Sequence, residues 1–125
     1  YGSRYELSDN SVVLSDHQLM VSNEAEKELE KIASDVYCLN VYKRVMFYGQ
    51  KVDDSICIKY YSLEDKQEGE LITIDAGADK ALKSLVVSDD YIIYDLGPKK
   101  EKEAVDTRVI WNRQTGEIQQ TIVYR

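Results

Sequence analysis

The chain has 125 residues, of which 43% are hydrophobic, and it carries a formal net charge of −7 at pH 7. This length is typical of one domain with a substantial core, so we expect a single β domain over residues 1–125. An acidic chain repels phosphate backbones, and no apolar run approaches the roughly 18 residues of a membrane span. The composition therefore argues against nucleic-acid binding and against a membrane-spanning segment.

Three segments of the sequence share one pattern, in which a short apolar run, a polar pair or triplet and a second apolar run follow one another. The segments are Val12–Val21, Leu39–Tyr48 and Leu85–Tyr94. A polar turn between two apolar runs predicts a β-hairpin. Tyr48 and Tyr94 correspond between the second and third segments, which gives the repeat a spacing of 46 residues.

Residues 24–33 allow two interpretations. Apolar residues at 25, 29, 32 and 33 have helical spacing, and Ser22 or Asn23 is suited to cap such a helix. The repeat instead places an outer strand near Leu29–Ala33, because the edge of the preceding hairpin would otherwise stay unpaired. We favour the strand and keep the helix as the alternative.

A second pair of strands follows each of the later hairpins. Residues 55–63 lead through a polar loop to 70–74, and residues 107–112 lead through a short turn to 117–122. Gly69-Glu70 and Gly116-Glu117 occupy matching places in the sequence. Glycine is favoured in tight turns because it adopts positive φ without strain.

Together these elements predict a partial unit over about 4–33 and two complete units over about 36–75 and 82–123. A period of about 40–50 residues with four strands per unit is typical of β-propellers. We therefore predict an all-β fold of two to three four-stranded antiparallel propeller-like blades, which belong to a larger propeller or are completed by another chain. The alternative is an ordinary β-sandwich with two similar hairpin pairs.

The segment Arg108–Ile118 resembles the closing strands of a tryptophan–aspartate (WD) repeat, in which a strand ends in Trp-Asp and a Thr-Gly turn follows. Ile58–Leu63 resembles the same part of a WD repeat more weakly, so the resemblance covers about two units. Asn112 stands where the family has aspartate, and no Gly-His pair precedes the inner strands. The resemblance implies a propeller architecture, but the hydrogen-bond network of the family is not carried over.

The sequence offers no catalytic motif. His17, the only histidine, follows Ser15 and Asp16 directly, and neighbours in an extended chain point to opposite faces, so these three residues do not form a triad. The pairs Asp53-Asp54 and Asp89-Asp90 lie in predicted turns, where aspartates usually accept backbone N–H groups. We therefore expect no catalytic, cofactor or metal site, and we predict that the protein is not an enzyme.

Cys38 and Cys57 are the only cysteines, and each lies in an apolar strand-like run. Two cysteines make neither a disulfide framework nor the spacing of a metal site. Buried free thiols in a reducing compartment are the favoured interpretation over a disulfide. This favours an intracellular location, in the cytoplasm or nucleus, and leaves an extracellular one open.

Five residues are candidate contacts to a protein partner, although packing between blades is the first interpretation for the aromatic ones. Tyrosine and tryptophan are common at interaction hot spots. The charged loop from Gly97 to Asp106 is either a tolerated insertion or a partner-contacting segment. The candidates are Tyr60, Tyr61, Lys99, Lys100 and Trp111.

Without a catalytic motif, the sequence predicts a non-catalytic protein-interaction or scaffold module that forms part of a β-propeller. Propellers usually close with four to eight blades, so we expect its open faces to be covered by the remaining blades of the same propeller or by another protein. The alternative is an extracellular or envelope ligand-binding or sensing domain of a bacterial protein. An enzyme built on the loops of a complete propeller would need residues outside this chain.

Overall fold

The computed structural model describes residues 2–6, 10–23, 29–75, 77–101 and 103–122. Within these residues, twelve strands form three antiparallel sheets of four strands, and each sheet keeps its strands in sequence order. The predicted all-β fold of four-stranded units is confirmed. Sheet 1 contains β1 (Gly2–Glu6), β2 (Asn10–Ser15), β3 (Gln18–Asn23) and β4 (Leu29–Ala33); sheet 2 contains β5 (Val36–Tyr42), β6 (Val45–Val52), β7 (Ser55–Ser62) and β8 (Glu68–Ile74); sheet 3 contains β9 (Lys80–Val87), β10 (Tyr91–Pro98), β11 (Thr107–Asn112) and β12 (Ile118–Ile122).

The ambiguous segment before Ala33 contributes a strand. β4 pairs antiparallel with β3, from Ser22 opposite Leu29 to Leu19 opposite Ala33. Residues 24–28 of that segment lie outside the described residues. Sheet 1 therefore has four strands where the sequence predicted only a partial unit, and pairing of the β3 edge overrides the helical spacing.

The three similar hairpins do not occupy the same place in their sheets. The hairpin at Val12–Val21 joins the second and third strands of sheet 1, whereas those at Leu39–Tyr48 and Leu85–Tyr94 join the first and second strands of sheets 2 and 3. Asp16 and His17 have φ values of 51° and 61°, as a two-residue type I′ turn requires. Because any hairpin with such a turn gives the same pattern, the pattern located hairpins but not their position in a blade.

The closing turns of sheets 2 and 3 have the same backbone hydrogen bonds. The N–H of Asn112 donates to Glu117 O at 2.8 Å, and the N–H of Ser62 donates to Gln67 O at 2.8 Å. One residue before each acceptor, Gly116 and Lys66 have φ values of 78° and 60°. The structural counterpart of Gly116 is therefore Lys66, not Gly69 as the sequence suggested.

Gly69 is required for a different reason. It lies in β8 opposite Tyr60, and a Cβ at Gly69 would lie 2.8 Å from the Tyr60 hydroxyl oxygen. The tyrosine ring covers the bare backbone of the neighbouring strand, and any side chain there would displace the ring.

Sheet 2 lies between sheets 1 and 3, and an apolar core fills each seam. Full burial of one valine, leucine, isoleucine, phenylalanine or methionine side chain contributes roughly 1.5–3 kcal/mol to the stability of the fold. The seam between sheets 1 and 2 buries Val12, Leu14, Leu19, Val21, Val36, Leu39, Met46, Tyr48 and Tyr61. The seam between sheets 2 and 3 buries Phe47, Ile56, Ile58, Leu82, Leu85, Val87, Ile92, Tyr94, Leu96 and Val109.

The first strands of sheets 2 and 3 approach each other most closely. The Cys38 thiol lies 3.3 Å from Leu82 O, and the N–H of Val87 donates to Asn40 Oδ1 at 3.2 Å. A Cβ at Gly49 would lie 2.1 Å from Leu82 Cδ2. The absence of a side chain at Gly49 thus allows Leu82 to fill this seam.

We predict that Gly49→Ala lowers the free energy of unfolding by about 1–3 kcal/mol, because the added methyl group overlaps the buried Leu82 side chain. In a Leu82→Ala background the same substitution should cost much less, because the overlapping atoms are gone. Urea unfolding of the two single variants and the double variant gives the coupling. Strictly additive effects would contradict the predicted contact.

Candidate interaction surfaces

Tyr60 and Tyr61 face two different seams. Tyr61 is 8% exposed and belongs to the core between sheets 1 and 2, whereas Tyr60 packs against the core between sheets 2 and 3. Neighbouring residues in a strand point to opposite faces. The pair is therefore divided between two packing environments and does not form one aromatic patch.

Trp111 also packs against the core between sheets 2 and 3. The next residue, Asn112, closes the turn: its Oδ1 accepts the N–H of Gln114 at 2.8 Å and that of Thr115 at 3.1 Å. Thr115 Oγ1 in turn accepts the N–H of Glu117 at 3.2 Å. The WD-like segment thus supplies a packed aromatic ring and a capped turn.

Lys99 and Lys100 are exposed at the start of a loop that folds back onto sheet 3. The buried Ala104 lies against Gly97, where a Cβ would come within 1.9 Å of the Ala104 carbonyl oxygen. The N–H of Asp106 donates to Leu96 O at 2.9 Å. The loop therefore packs against sheet 3 and leaves both lysines exposed to solvent. Contact of the two lysines with a partner stays a prediction, as it does for Tyr60, Tyr61 and Trp111.

The other chemically reactive side chains have structural surroundings. The exposed His17 ring stacks on Tyr37 with centroids 4.5 Å apart. Cys38 and Cys57 are free thiols, as predicted, and burial raises the pKa of Cys38 to about 12. Among the described residues no group of three or more His, Cys, Asp or Glu side chains is placed to hold a metal ion. Over the same residues no helix has the length and hydropathy needed to cross a membrane.

One face of sheet 3 is not covered by another sheet in the described chain, and we call it the free face. Strand register places Val86, Ile93 and Ile110 side by side across β9, β10 and β11. Val86 is 52% exposed, and Tyr91, on the next row of the same face, is 42% exposed. An apolar row of this kind on a sheet face is typical of a packing surface.

The equivalent positions in sheet 2 are buried against sheet 3. Phe47 and Tyr60 are direct cross-strand partners in β6 and β7, as Ile93 and Ile110 are in β10 and β11. Phe47 is 5% exposed in the seam between sheets 2 and 3. The free face therefore has its apolar row at the register positions through which sheet 2 packs against sheet 3.

An ion pair between the buried Asp95 and the exposed Arg108 lies beside this row. Asp95, only 6% exposed, accepts hydrogen bonds from Arg108 Nε at 2.8 Å, from Arg108 Nη2 at 3.1 Å and from Ser84 Oγ at 2.9 Å. The Arg108 guanidinium group holds the pKa of the Asp95 carboxyl below its usual value, against the opposing effect of burial. The bidentate geometry fixes the arginine over the free face.

A second surface lies at the hairpin-turn end of the seam between sheets 2 and 3. We call it the turn groove; it has a volume of about 260 Å³. Lys43 Nζ lies 2.8 Å from Asp89 Oδ1 across the seam, and the Arg113 guanidinium carbon lies 5.5 Å from the Phe47 ring centroid. Hydrogen bonding to Lys43 lowers the pKa of Asp89 and raises that of Lys43. The lining residues are Tyr42, Lys43, Val45, Phe47, Asp89, Arg113 and Gln114.

Sequence reasoning missed both surfaces. The free face needs the strand register, since Val86, Ile93 and Ile110 are far apart in the chain and meet only when β9, β10 and β11 pair. The turn groove needs the stacking of two sheets, which brings Lys43 to Asp89. The alternation of side chains along each hairpin was the available sequence signal for the free face. No sequence signal marked the turn groove.

No protein-family model matches the chain, and no curated protein matches its sequence. Among solved structures, the N-terminal domain of Nup159 has a TM-score of 0.66 at 13% identity, over 95% of this chain and 36% of its own. A chain in a complex of a Saccharomyces cerevisiae Dbp5 variant bound to Nup159, a Gle1 variant, IP6 and ADP has a TM-score of 0.66 at 12% identity, and the match covers 97% of this chain and 36% of that one. The extracellular domain of BT4673 from B. thetaiotaomicron has a TM-score of 0.63 at 12% identity, and the match covers 92% of this chain and 16% of that one.

The Nup159 and Dbp5-complex neighbours are β-propellers, and the likeness covers nearly all of this chain, so its three sheets have the arrangement of propeller blades. The chain spans about a third of the length of these two neighbours. At this level of identity the likeness concerns the fold alone. The WD-repeat resemblance within the propeller class stays a prediction.

The buried carboxylate makes stability depend on pH. Because the folded-state pKa of Asp95 lies below its unfolded value, the carboxylate contributes stability above the unfolded pKa and loses that contribution as pH falls through the folded pKa. We predict that Asp95→Asn lowers the free energy of unfolding by about 1–3 kcal/mol near neutral pH. This deficit should shrink as the pH is lowered from about 7 to about 2, in thermal melts of variant and parent.

The control for this experiment is Asp54→Asn, which makes the same change in an exposed turn. It should leave the melting temperature nearly unchanged over the same pH range. An Asp95→Asn deficit that stays constant from neutral to acid pH would show that the ion pair with Arg108 does not stabilise the fold.

Proposed function

We propose that the chain forms three consecutive blades of a β-propeller that acts as a non-catalytic protein-interaction or scaffold module. The free face of sheet 3 carries this proposal, because Ile93 and Ile110 occupy the register positions of Phe47 and Tyr60, which pack against sheet 3. Val86 extends this apolar row onto β9. A further blade covers this face in the assembled protein. Propellers close with about four to eight blades, so three blades leave the ring to be completed.

The proposed seam between the free face of sheet 3 and its covering blade differs from the seam between sheets 2 and 3. Gly49, which admits Leu82 of the following sheet, pairs with Ile58 in sheet 2, and Asp95 pairs with Arg108 at the matching place in sheet 3. A leucine directed at that place would meet the Arg108–Asp95 ion pair, so the covering blade offers polar groups or a small residue there. The free face thus selects its neighbour by a polar row beside an apolar one.

Solved neighbours support an interaction role. One of them is a Dbp5 complex with Nup159 and Gle1, so a protein of this fold class forms assemblies with other proteins. In our proposal, protein partners rather than nucleic acid or lipid are bound, because the chain carries a net charge of −7. In the same proposal the protein is not an enzyme, because its sequence carries no catalytic motif.

A second candidate is a ligand-binding or sensing domain of a bacterial extracellular or envelope protein. It is favoured by the likeness to the extracellular domain of BT4673 from B. thetaiotaomicron. The free thiols of Cys38 and Cys57 favour the intracellular alternative, because a reducing compartment keeps buried thiols free. Fractionation of cells expressing the tagged natural gene distinguishes the two locations.

We predict that the chain self-associates in a concentration-dependent manner, because one copy's free face is open to a blade of another. Val86→Asp should shift the chain toward the monomer, since it places a charge in the centre of the apolar row. Val52→Asp is the matched control: Val52 is 41% exposed but lies in β6, away from the free face. Sedimentation velocity over a range of concentrations measures the effect.

A compact monomer at all concentrations, or equal effects of Val86→Asp and Val52→Asp, would overturn the proposal. Circular dichroism checks that each variant keeps its β structure. If Val86→Asp unfolds the chain, Val86→Thr preserves the β-branched shape and should still weaken association, by a smaller factor.

A further inference from the structure

We propose that the turn groove binds an acidic peptide segment of a partner protein, with a partner carboxylate on Arg113 and an adjacent apolar side chain on Val45 and Tyr42. This inference rests on the interaction role in the proposed function and not on completion of the ring, because the groove lies between sheets 2 and 3 of this chain. It goes beyond that function by naming the bound chemistry and the residues that recognise it.

The floor of the groove is apolar and comes from sheet 2. Phe47 is 5% exposed and anchored in the core, whereas Val45 and Tyr42 are half-buried at the ends of β6 and β5. Tyr42 and Val45 pair directly across the hairpin. A floor of this kind buries one apolar side chain of a peptide without rearrangement.

The rim of the groove carries a net positive charge. Asp89 lies 2.8 Å from Lys43 across the seam and also interacts with Arg113, so the lining residues carry two positive charges against one negative charge. The whole chain has a net charge of −7, so a positive groove is a local exception. Charge complementarity therefore favours an acidic segment as the occupant.

Arg113 is oriented for carboxylate binding. Its Nη1 donates to Ser88 O at 2.6 Å, its backbone N–H donates to Asp90 O at 2.8 Å, and its guanidinium plane lies near the Phe47 ring. Among the described residues no acceptor bonds its Nε or Nη2. Guanidinium donors of this kind match the two oxygens of a carboxylate.

The small net charge of the groove argues against a nucleic acid in the same place. A phosphate backbone carries one charge per nucleotide and is bound through several cations, whereas the lining residues supply one positive charge in excess. A peptide carboxylate needs only the single arginine. The size of the groove, about 260 Å³, suits a few side chains and not an extended strand of nucleotides.

The probe is an acetylated and amidated octapeptide of alternating glutamate and leucine, added to the ¹⁵N-labelled chain. Chemical-shift changes should concentrate on residues 42–47, 88–90 and 113–114 and include the Arg113 Nε–H signal. Arg113→Gln should weaken binding about tenfold or more, because it removes a charge-assisted bidentate bond. Arg113→Lys should recover only part of the affinity.

The matched control is Lys31→Gln, which removes one positive charge from an exposed position of β4 in sheet 1, away from the groove, and should leave the affinity unchanged. Equal weakening by both variants would reduce the effect to nonspecific charge and overturn the inference. So would shifts centred outside the groove, equal binding of a glutamine–leucine octapeptide, or tighter binding of oligothymidylate at the same residues.

Failure of this inference is distinguishable from failure of the proposed function. Peptide binding is measured at a concentration where sedimentation fixes the association state, and Val86→Asp should leave the groove shifts in place. If Val86→Asp removes self-association and no peptide binds, the blade proposal stands and the groove assignment falls. If peptide binds but the chain is always a compact monomer, the reverse holds.

Discussion

The apolar faces of the sheets in this chain are removed from water only when another sheet packs against them. Sheet 2 shows why: Met46 and Tyr48 project toward sheet 1, and Phe47 and Ile58 project toward sheet 3, so both of its faces are apolar. A sheet that is apolar on both faces is stable in water only between two others. When four-stranded sheets are repeated around a central axis, each sheet packs between two others and this requirement is met. The twist of each sheet is compatible with such an arrangement.

The same requirement explains the free face of sheet 3. Its row of Val86, Ile93 and Ile110 has no function in the packing of the described chain, yet it repeats the register position that Phe47 and Tyr60 fill in the previous sheet. Asp95 and Arg108 break the repeat at one place, where sheet 2 has Gly49 and Ile58. Blades of this chain are therefore similar in backbone but not interchangeable in their seams.

Local chemistry made much of the fold predictable from the sequence. Hairpins were readable because two-residue polar turns separate apolar runs, and β4 was readable because the edge of β3 needs a partner. The order of strands within sheet 1 was not, since the turn at Asp16 and His17 gives the same local pattern as the turn at Lys43 and Arg44, although the two lie in different places of their blades. Gly69 was misassigned for a similar reason: its role depends on the Tyr60 ring across the strand pair, which no local pattern records.

The surfaces were less predictable because their residues are brought together only by strand pairing, at the free face, or by sheet stacking, at the turn groove. Tyr60 and Tyr61 are adjacent in sequence but separated by the sheet, whereas Lys43 and Asp89 are distant in sequence but joined by an ion pair. An interaction surface of a propeller is accordingly a property of a seam, because its floor comes from one blade and its charged rim from the turns of two. In this chain the apolar row of the free face follows from the pairing of β9, β10 and β11, whereas the groove that exposes Arg113 follows from the stacking of sheets 2 and 3.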